Sequence, residues 1–185
     1  MNRRMEDLFV LQSDRLVLRR PRLSDFDRLA AMWAQPSVVT HFGGKPFNRE
    51  DSWSRLLRYV GHWEVLGYGM WTATLRGDDL HMGDVGFLHG ERTGVPAFGC
   101  PEAGWSFHPE AQGQGLGSEA VACILAWADA QAASGADPRF SRTVAMINPA
   151  NAASIAVARR CGYAIFGESR YHDHLVGLWE RHALG

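Results

Sequence analysis

Hydrophobic and polar positions follow two different periods along this chain, and the switches between them outline its elements. Residues 1–12 carry no clear signal and read as an N-terminal extension. Arg15-Leu-Val-Leu-Arg19 then alternates as a strand does, and Pro21 ends it. Phe26, Leu29, Ala30 and Trp33 recur at helical spacing as far as Pro36, with Ser24 and Asp27 as an N-cap signal. After the glycine-containing loop Thr40–Pro46, Asn48 predicts the cap of a second amphipathic helix, with Trp53, Leu56, Leu57 and Val60 on its apolar side. Tyr68–Leu75 and Leu80–Leu88 flank the turn-prone Arg76-Gly-Asp-Asp79 and predict an antiparallel hairpin. The Gly- and Pro-rich stretch His89–Cys100 reads as a loop.

A short strand from Glu102 ends at Pro109, and a glycine-spaced turn and a helix through Asp129 follow it. Gln131–Pro138 breaks that helix. Arg142–Ile147 reads as a strand, Asn151–Arg160 as a helix ended by Gly162, and Tyr163–Phe166 and His174–Trp179 as the last strands. The pattern predicts one mixed α/β sheet of about seven strands with helices on both faces.

Composition narrows the class. With 185 residues, 46% hydrophobic and 21% charged, the chain supports one sizeable core, and residues 1–185 read as a single domain. A formal net charge of −1 lacks the basic footprint of a nucleic-acid binder. No segment approaches about 18 uninterrupted apolar residues, and the N-terminus lacks the apolar core of a signal peptide, so a soluble, cytoplasmic protein with no membrane partner is expected. Cys100, Cys123 and Cys161 are odd in number and lack ligand spacing, which predicts reduced thiols, with Cys123 as a small core residue. His172 and His174 would share one face of a strand, but no third ligand is indicated, and no metal is expected.

The most informative chemistry lies at Gln112-Gly113-Gln114-Gly115-Leu116-Gly117-Ser118. Glycines at alternate positions allow backbone amides to converge on a ligand, and the free N–H groups of the following helix favour a phosphate or pyrophosphate. A tight connection that binds nothing is the alternative reading. No Lys-Ser/Thr follows the last glycine, which excludes a Walker loop, and the spacing is not that of a dinucleotide fold.

Gln112-x-x-Gly115-x-Gly117 resembles the acetyl-coenzyme A pyrophosphate loop of the GNAT superfamily of N-acetyltransferases. The preceding Glu102-x-Gly104-Trp105-x-Phe107-x-Pro109, and the block from Asn148 and Asn151 through Ser154 to Gly162-Tyr163, are similar to the ribosomal-protein N-terminal acetyltransferase branch, the RimJ/RimL type. The resemblance implies a mostly antiparallel sheet whose fourth and fifth strands splay apart. It also implies acetyl-CoA as co-substrate and a primary amine as acceptor, either a protein N-terminus or a small molecule. The amine is expected to enter from the opposite side of the sheet, and a homodimer is compatible with the type.

On that resemblance the pantetheine arm pairs with backbone near Trp105, Ser106 and Phe107, and the loop from Gln112 to Ser118 holds the pyrophosphate. Asn148 and Asn151 would bond the arm, although a helix cap explains Asn151 equally well. The aromatic residues Trp33, His41, Trp53, Tyr59, Trp63 and Tyr68 become candidates for the acceptor lining, against ordinary core packing. A lysine amine is neutral about one time in a thousand near neutral pH, equivalent to about 4 kcal/mol, whereas an α-amine loses only a few tenths. Glu102 is the implied base, with a strand-end surface glutamate as the alternative. Many members place a tyrosine acid where this chain has Ala158; in the RimJ/RimL branch a serine serves, and Ser154 matches it, or is a first-turn hydroxyl bonding backbone. Other readings are a coenzyme-binding sensor or interaction module without turnover, and a plain structural module.

Overall fold

The predicted hairpin forms as expected: Met70–Leu75 (β3) pairs antiparallel with His81–Leu88 (β4), and both are buried on both faces over nearly their whole length. The computed structural model describes residues 9–184. Around the hairpin lie Leu11–Gln12 (β1), Leu16–Arg19 (β2), Glu102–Phe107 (β5), Arg142–Ile147 (β6), Ala164–Tyr171 (β7) and His174–His182 (β8). The sheet has eight strands in the order β1-β2-β3-β4-β5-β6-β8-β7. Every neighbouring pair is antiparallel except β5 with β6.

The extra strand beyond the seven expected is β1, two residues that pair with β2 inside what reads as an N-terminal extension. The remainder of that extension, 1–8, lies outside the described residues. No helix of the described residues is long and apolar enough to cross a membrane.

The helices are Phe26–Trp33 (α1), Pro36–Val39 (α2), Arg49–Leu66 (α3), Leu116–Ala133 (α4) and Ala152–Arg160 (α5). Alternation along β3 sorts them onto two faces. Trp71 points to the cluster that contains Trp127 and Ile124 of α4, and Met70 to the cluster of Leu29, Met32 and Trp33 of α1 with Leu56 and Tyr59 of α3.

Asn48 caps α3 reciprocally: its side chain accepts from the Asp51 N–H at 2.8 Å, and Asp51 accepts from the Asn48 N–H at 3.1 Å. The buried face of α3 differs from the expectation. Ser52, Leu56, Tyr59 and Trp63 face inward, whereas Trp53, Leu57 and Val60 are 40%, 52% and 36% exposed. The larger rings Tyr59 and Trp63 decide the rotation, because they bury more area than Leu57 and Val60 would.

The start of α1 also departs from the Ser24–Asp27 signal. A 3₁₀ turn over Leu23–Asp25 precedes the helix, and Asp25 accepts the Arg22 N–H at 2.8 Å. Asp25 wins because it is buried and must be satisfied. Arg19 donates to both its oxygens, at 2.9 and 2.7 Å, and Thr72 donates a further bond at 3.1 Å. Two further differences are local. His172 and Asp173, at φ 47° and 64°, form the turn between β7 and β8, so His172 lies in a hairpin tip and His174 opens β8, and the two do not share a strand face. Cys100, Cys123 and Cys161 are free thiols, and Cys123 is half-buried at the edge of the core.

Beneath α1 runs a buried polar file. His81 donates from Nε2 to Asp84 Oδ1 at 2.9 Å, and its Nδ1 lies 3.3 Å from His108 Nε2. Asp84 also accepts from Trp33 Nε1 at 3.4 Å. With Asp84 ionised, His81 carries its proton on Nε2 and accepts from His108. Burial, with the positive charge of Arg28 adding to it, depresses the His108 pKa from 6.5 to about 4. The unfolded chain therefore takes up this proton first as pH falls from about 6.5 to about 4. The folded state loses on the order of 3 kcal/mol across that window and recovers it as pH rises. Urea midpoints at pH 4.5 and 7 should differ less in His108→Gln than in the wild type; an unchanged pH slope would remove His108 from this role.

Candidate active site

The glycine-spaced segment folds as a cradle at the start of α4. Gly113 and Gly115 hold left-handed backbone at φ 73° and 79°, which side-chain-bearing residues rarely adopt, and Gly115 is the N-cap of α4. Gly117 is helical, and a Cβ there would make only ordinary contact with the Phe107 ring at 3.8 Å and Val157 at 3.9 Å, so neither backbone nor packing requires glycine at this position. The loop is fastened from several sides. Gln112 Nε2 donates to Phe107 O at 2.9 Å, Gln114 Nε2 to Glu110 O at 2.6 Å, and Arg15 to Gln114 O at 2.9 Å. Arg15 is itself held by Glu119 at 2.6 Å, and Glu110 pairs with Arg28 at 2.7 Å, so neither glutamate is free for chemistry. The first N–H groups of α4 are left facing outward from its N-terminus.

A cavity of about 390 Å³ opens over this loop. Of the residues the sequence singles out, Trp105, Ser106, Phe107, Gln112, Gly113, Gly115, Gly117, Ser118, Asn151 and Ser154 line it. Gln114 and Leu116 do not; Leu116 is 3% exposed and anchors α4 in the core.

The cavity continues into the sheet because β5 and β6 part. They share one register pair, Glu102 with Val144, and the Val144 N–H donates to Pro101 O at 3.1 Å. On its other edge β5 stays paired with β4 from Glu102 to Phe107. His108 N–H donates to Met82 O at 3.0 Å, which fixes the parity. Residues 102, 104 and 106 exchange bonds with β4, while the peptide groups of 103, 105 and 107 turn toward β6. Beyond Glu102, the backbone N–H and C=O of Trp105 and the N–H of Phe107 therefore look into the gap, the Phe107 carbonyl being taken by Gln112, whereas the backbone of Ser106 pairs with Asp84.

A second cavity of about 370 Å³ lies at the Glu102 end of the gap and shares His41, Phe42, Trp105, Asn151 and Ser154 with the first. Asn148 lines this second cavity and not the first. Its side-chain oxygen accepts the Ala150 N–H at 2.9 Å, and that of Asn151 accepts the Ser154 N–H at 3.0 Å. Both carboxamide oxygens are thus used by backbone, and their NH₂ groups remain as donors. Ser154 sits in the first turn of α5 where the cavities meet.

Glu102 is no surface residue. It is 8% exposed, and both carboxylate oxygens are held by Arg92, one of them at 3.0 Å from Nη2. Burial raises its pKa above the ordinary value, and the Arg92 charge and hydrogen bond pull it back down. Of the aromatic candidates for the lining, only His41 borders the second cavity. Trp33, Tyr59, Trp63 and Tyr68 are core residues, and Trp53 stacks edge-on against Phe26 at 5.1 Å.

Sequence reasoning missed Arg92 and Arg160. Arg160 lines the first cavity and donates to the Ser118 hydroxyl at 2.8 Å. The helical spacing of Ala153, Val157 and Arg160 carried the signal, since all three face that cavity. Arg92 lies in a Gly- and Pro-rich loop with no periodicity to read. Among the described residues no group of three or more His, Cys, Asp or Glu is placed to hold a metal ion.

Comparison with known proteins agrees with this arrangement. The profile of the acetyltransferase (GNAT) domain matches residues 15–164. Among solved structures the chain is similar to a GnaT-family acetyltransferase from Bordetella pertussis, with 29% identity, a TM-score of 0.78, and 93% of this chain and 98% of that one covered. It is also similar in fold to RimL, a ribosomal L7/L12 alpha-N-protein acetyltransferase in complex with coenzyme A, with 20% identity, a TM-score of 0.71, and 94% and 97% covered. The aminoglycoside acetyltransferase AAC(6')-Ib in complex with coenzyme A gives 16% identity, a TM-score of 0.70, and 90% and 94% covered. With the domain match spanning most of the chain and the glycine cradle opening into a parted sheet, the chain belongs to the GNAT acetyltransferase family and is an acyl-CoA-dependent N-acetyltransferase.

Proposed function

We propose that the protein transfers the acetyl group of acetyl-CoA directly to a primary amine, in a ternary complex, as a member of the RimJ/RimL-type branch. The observation that carries this reading is the meeting of two cavities at the β5–β6 gap, with Trp105, Asn151 and Ser154 common to both. The donor enters over the loop, its pyrophosphate on the amides from Gly113 to Ser118 with Arg160 beside them, and its pantetheine arm on the peptide groups of Trp105 and Phe107. The amine approaches from the Glu102 cavity. Holding thioester and amine in attack geometry supplies the larger share of the acceleration, up to roughly 7–11 kcal/mol.

As the amine nitrogen bonds to the carbonyl carbon, negative charge grows on the acetyl oxygen, and an N–H of β5 facing the gap stabilises it. Glu102 takes the amine proton through water, using the lone pairs that Arg92 leaves free. Ser154 contacts the departing sulfur and returns a proton to it. Among the similar folds, RimL is a protein α-N-acetyltransferase and AAC(6')-Ib acts on aminoglycosides, so an N-terminal α-amine and a small-molecule amine are both acceptor classes of this fold.

The donor site is tested by thermal unfolding with saturating acetyl-CoA. At 100 times the dissociation constant the ligand adds about 2.7 kcal/mol of stability. Gly115→Glu, which puts a side chain and a negative charge on left-handed backbone at the cradle, should abolish the shift. A wild-type protein that no coenzyme stabilises would contradict the proposal.

The base is tested by pH profiles with an amine of low pKa, whose own ionisation lies outside the window. Glu102→Gln should lower kcat on the order of 100-fold. In the wild type the rate should fall on the acid side as Glu102 gains its proton. Arg92→Gln removes the charge that holds the carboxyl down, so this limb should move to higher pH. A limb that stays in place argues against Glu102. Ser154→Ala should reduce kcat more than KM, without abolishing turnover, because the coenzyme thiol is itself a fair leaving group.

A further inference from the structure

The acceptor cavity carries cations that the rest of the protein does not neutralise. α3 presents Arg55 and Arg58, at helical spacing, to the Glu102 cavity and to an adjoining one of about 560 Å³ that also includes Lys45. Among the described residues neither Arg55 nor Arg58 pairs with a carboxylate, whereas Arg92 in the same cavity is taken by Glu102. The one other carboxylate on these walls, Asp51, is used in capping α3. Setting aside the Arg92–Glu102 pair, the guanidinium charge of the cavity is positive and uncompensated.

Arg55 is held by rings instead of by ions. Its guanidinium lies 3.7 Å from the Trp33 centroid and 4.8 Å from that of Phe47, and it donates to the Tyr59 hydroxyl at 3.1 Å. Its Nε is the one buried side-chain nitrogen or oxygen among the described residues that has no hydrogen-bond partner. A buried donor left unmet is costly, and the guanidinium that carries it borders both cavities as a cation the protein leaves uncompensated. Arg58, exposed at the cavity rim, also has no carboxylate partner, and partial desolvation together with the charges of Arg55 and Arg92 holds its guanidinium below the ordinary value.

We infer that the acceptor bears an oxyanion, a carboxylate or a phosphate, beside its amine, and that Arg55 and Arg58 receive it while the amine lies toward Glu102. This rests on the acetyl-transfer reading given above. The chemistry selects zwitterionic amines or peptides with an acidic residue near the N-terminus, and rejects polycations, because like charges in a partly desolvated cavity repel. A guanidinium fork fixed by stacking suits a planar carboxylate or a phosphate, since less side-chain freedom is lost on binding.

The test measures thiol release from saturating acetyl-CoA with matched acceptors: amino acids against their amides, O-phosphoethanolamine against ethanolamine, and tripeptides with acidic against basic second and third residues, with spermidine as a polycation. The anionic member of at least one pair should have a kcat/KM about tenfold or more above its partner, and the arm that responds identifies the oxyanion and its carrier. In Arg58→Gln, and in Arg55→Met where it folds, that ratio should collapse by about tenfold through KM. Turnover in which neutral or cationic amines do as well, or a ratio untouched by Arg58→Gln, overturns the inference and leaves acetyl transfer standing. If no amine is turned over while acetyl-CoA still raises the melting temperature, the acetyl-transfer reading fails, and the acceptor inference with it.

Discussion

β5 and β6 are each paired along one edge, β5 to β4 and β6 to β8, and share a single register pair with one another. The proposed site depends on that parting. A parallel pair that stayed zipped would bury the peptide groups of Trp105 and Phe107 in a ladder and close the space between the two cavities. Because each strand is anchored from its far side, the opening does not unravel the sheet, and the free backbone groups must be met by water or by a ligand. The helices hold the gap in shape: α4 starts at the loop after β5, and α5 starts at the end of β6, so two helix N-termini converge where the strands separate.

On the proposed reading, the glycine loop was the part of the site the sequence made legible and the second cavity was the part it left dark, for a physical reason. Recognition of a phosphate by backbone needs glycines at fixed positions, and Gly113 and Gly115 adopt the left-handed dihedrals that their spacing suggests. Caps are also local, and Asn48 and Asn151 could be read because a cap is completed within one turn. The start of α1 could not be read the same way. The 3₁₀ turn that leads into it is closed by Asp25 accepting the Arg22 N–H, and the burial of Asp25 is made possible by Arg19 and Thr72, the latter 47 residues away. The rotation of α3 likewise follows from which rings the sheet can cover, and a helix with apolar residues on several sides does not announce that choice.

Charge shows the same division. A net charge of −1 over 185 residues describes a nearly neutral protein, but the average conceals the local field. Most arginines of β1 to α1 and of the later strands are matched to carboxylates, as Arg19 is to Asp25 and Arg181 to Asp129. Arg55 and Arg58 are not: Arg55 is half-buried against rings and Arg58 is exposed, and both line the same cavity. Glu102, whose charge is disfavoured by burial, is kept available for ionisation by Arg92 from a loop of no recognisable pattern. The chain thus separates a cation that tunes a carboxylate from cations with no carboxylate to tune.

The two cavities draw their walls from different stretches of chain. The cavity proposed for the donor takes β5, the loop before α4 and α5; the one proposed for the acceptor adds α3, the 89–101 loop and the β7–β8 tip, and the two have five lining residues in common, His41, Phe42, Trp105, Asn151 and Ser154. A substitution in α3 or at the hairpin tip can therefore reshape what is accepted without disturbing what is donated. Divergence of such a protein is expected to run along one wall while the other stands still, and a lineage could exchange its acceptor many times on an unaltered coenzyme seat.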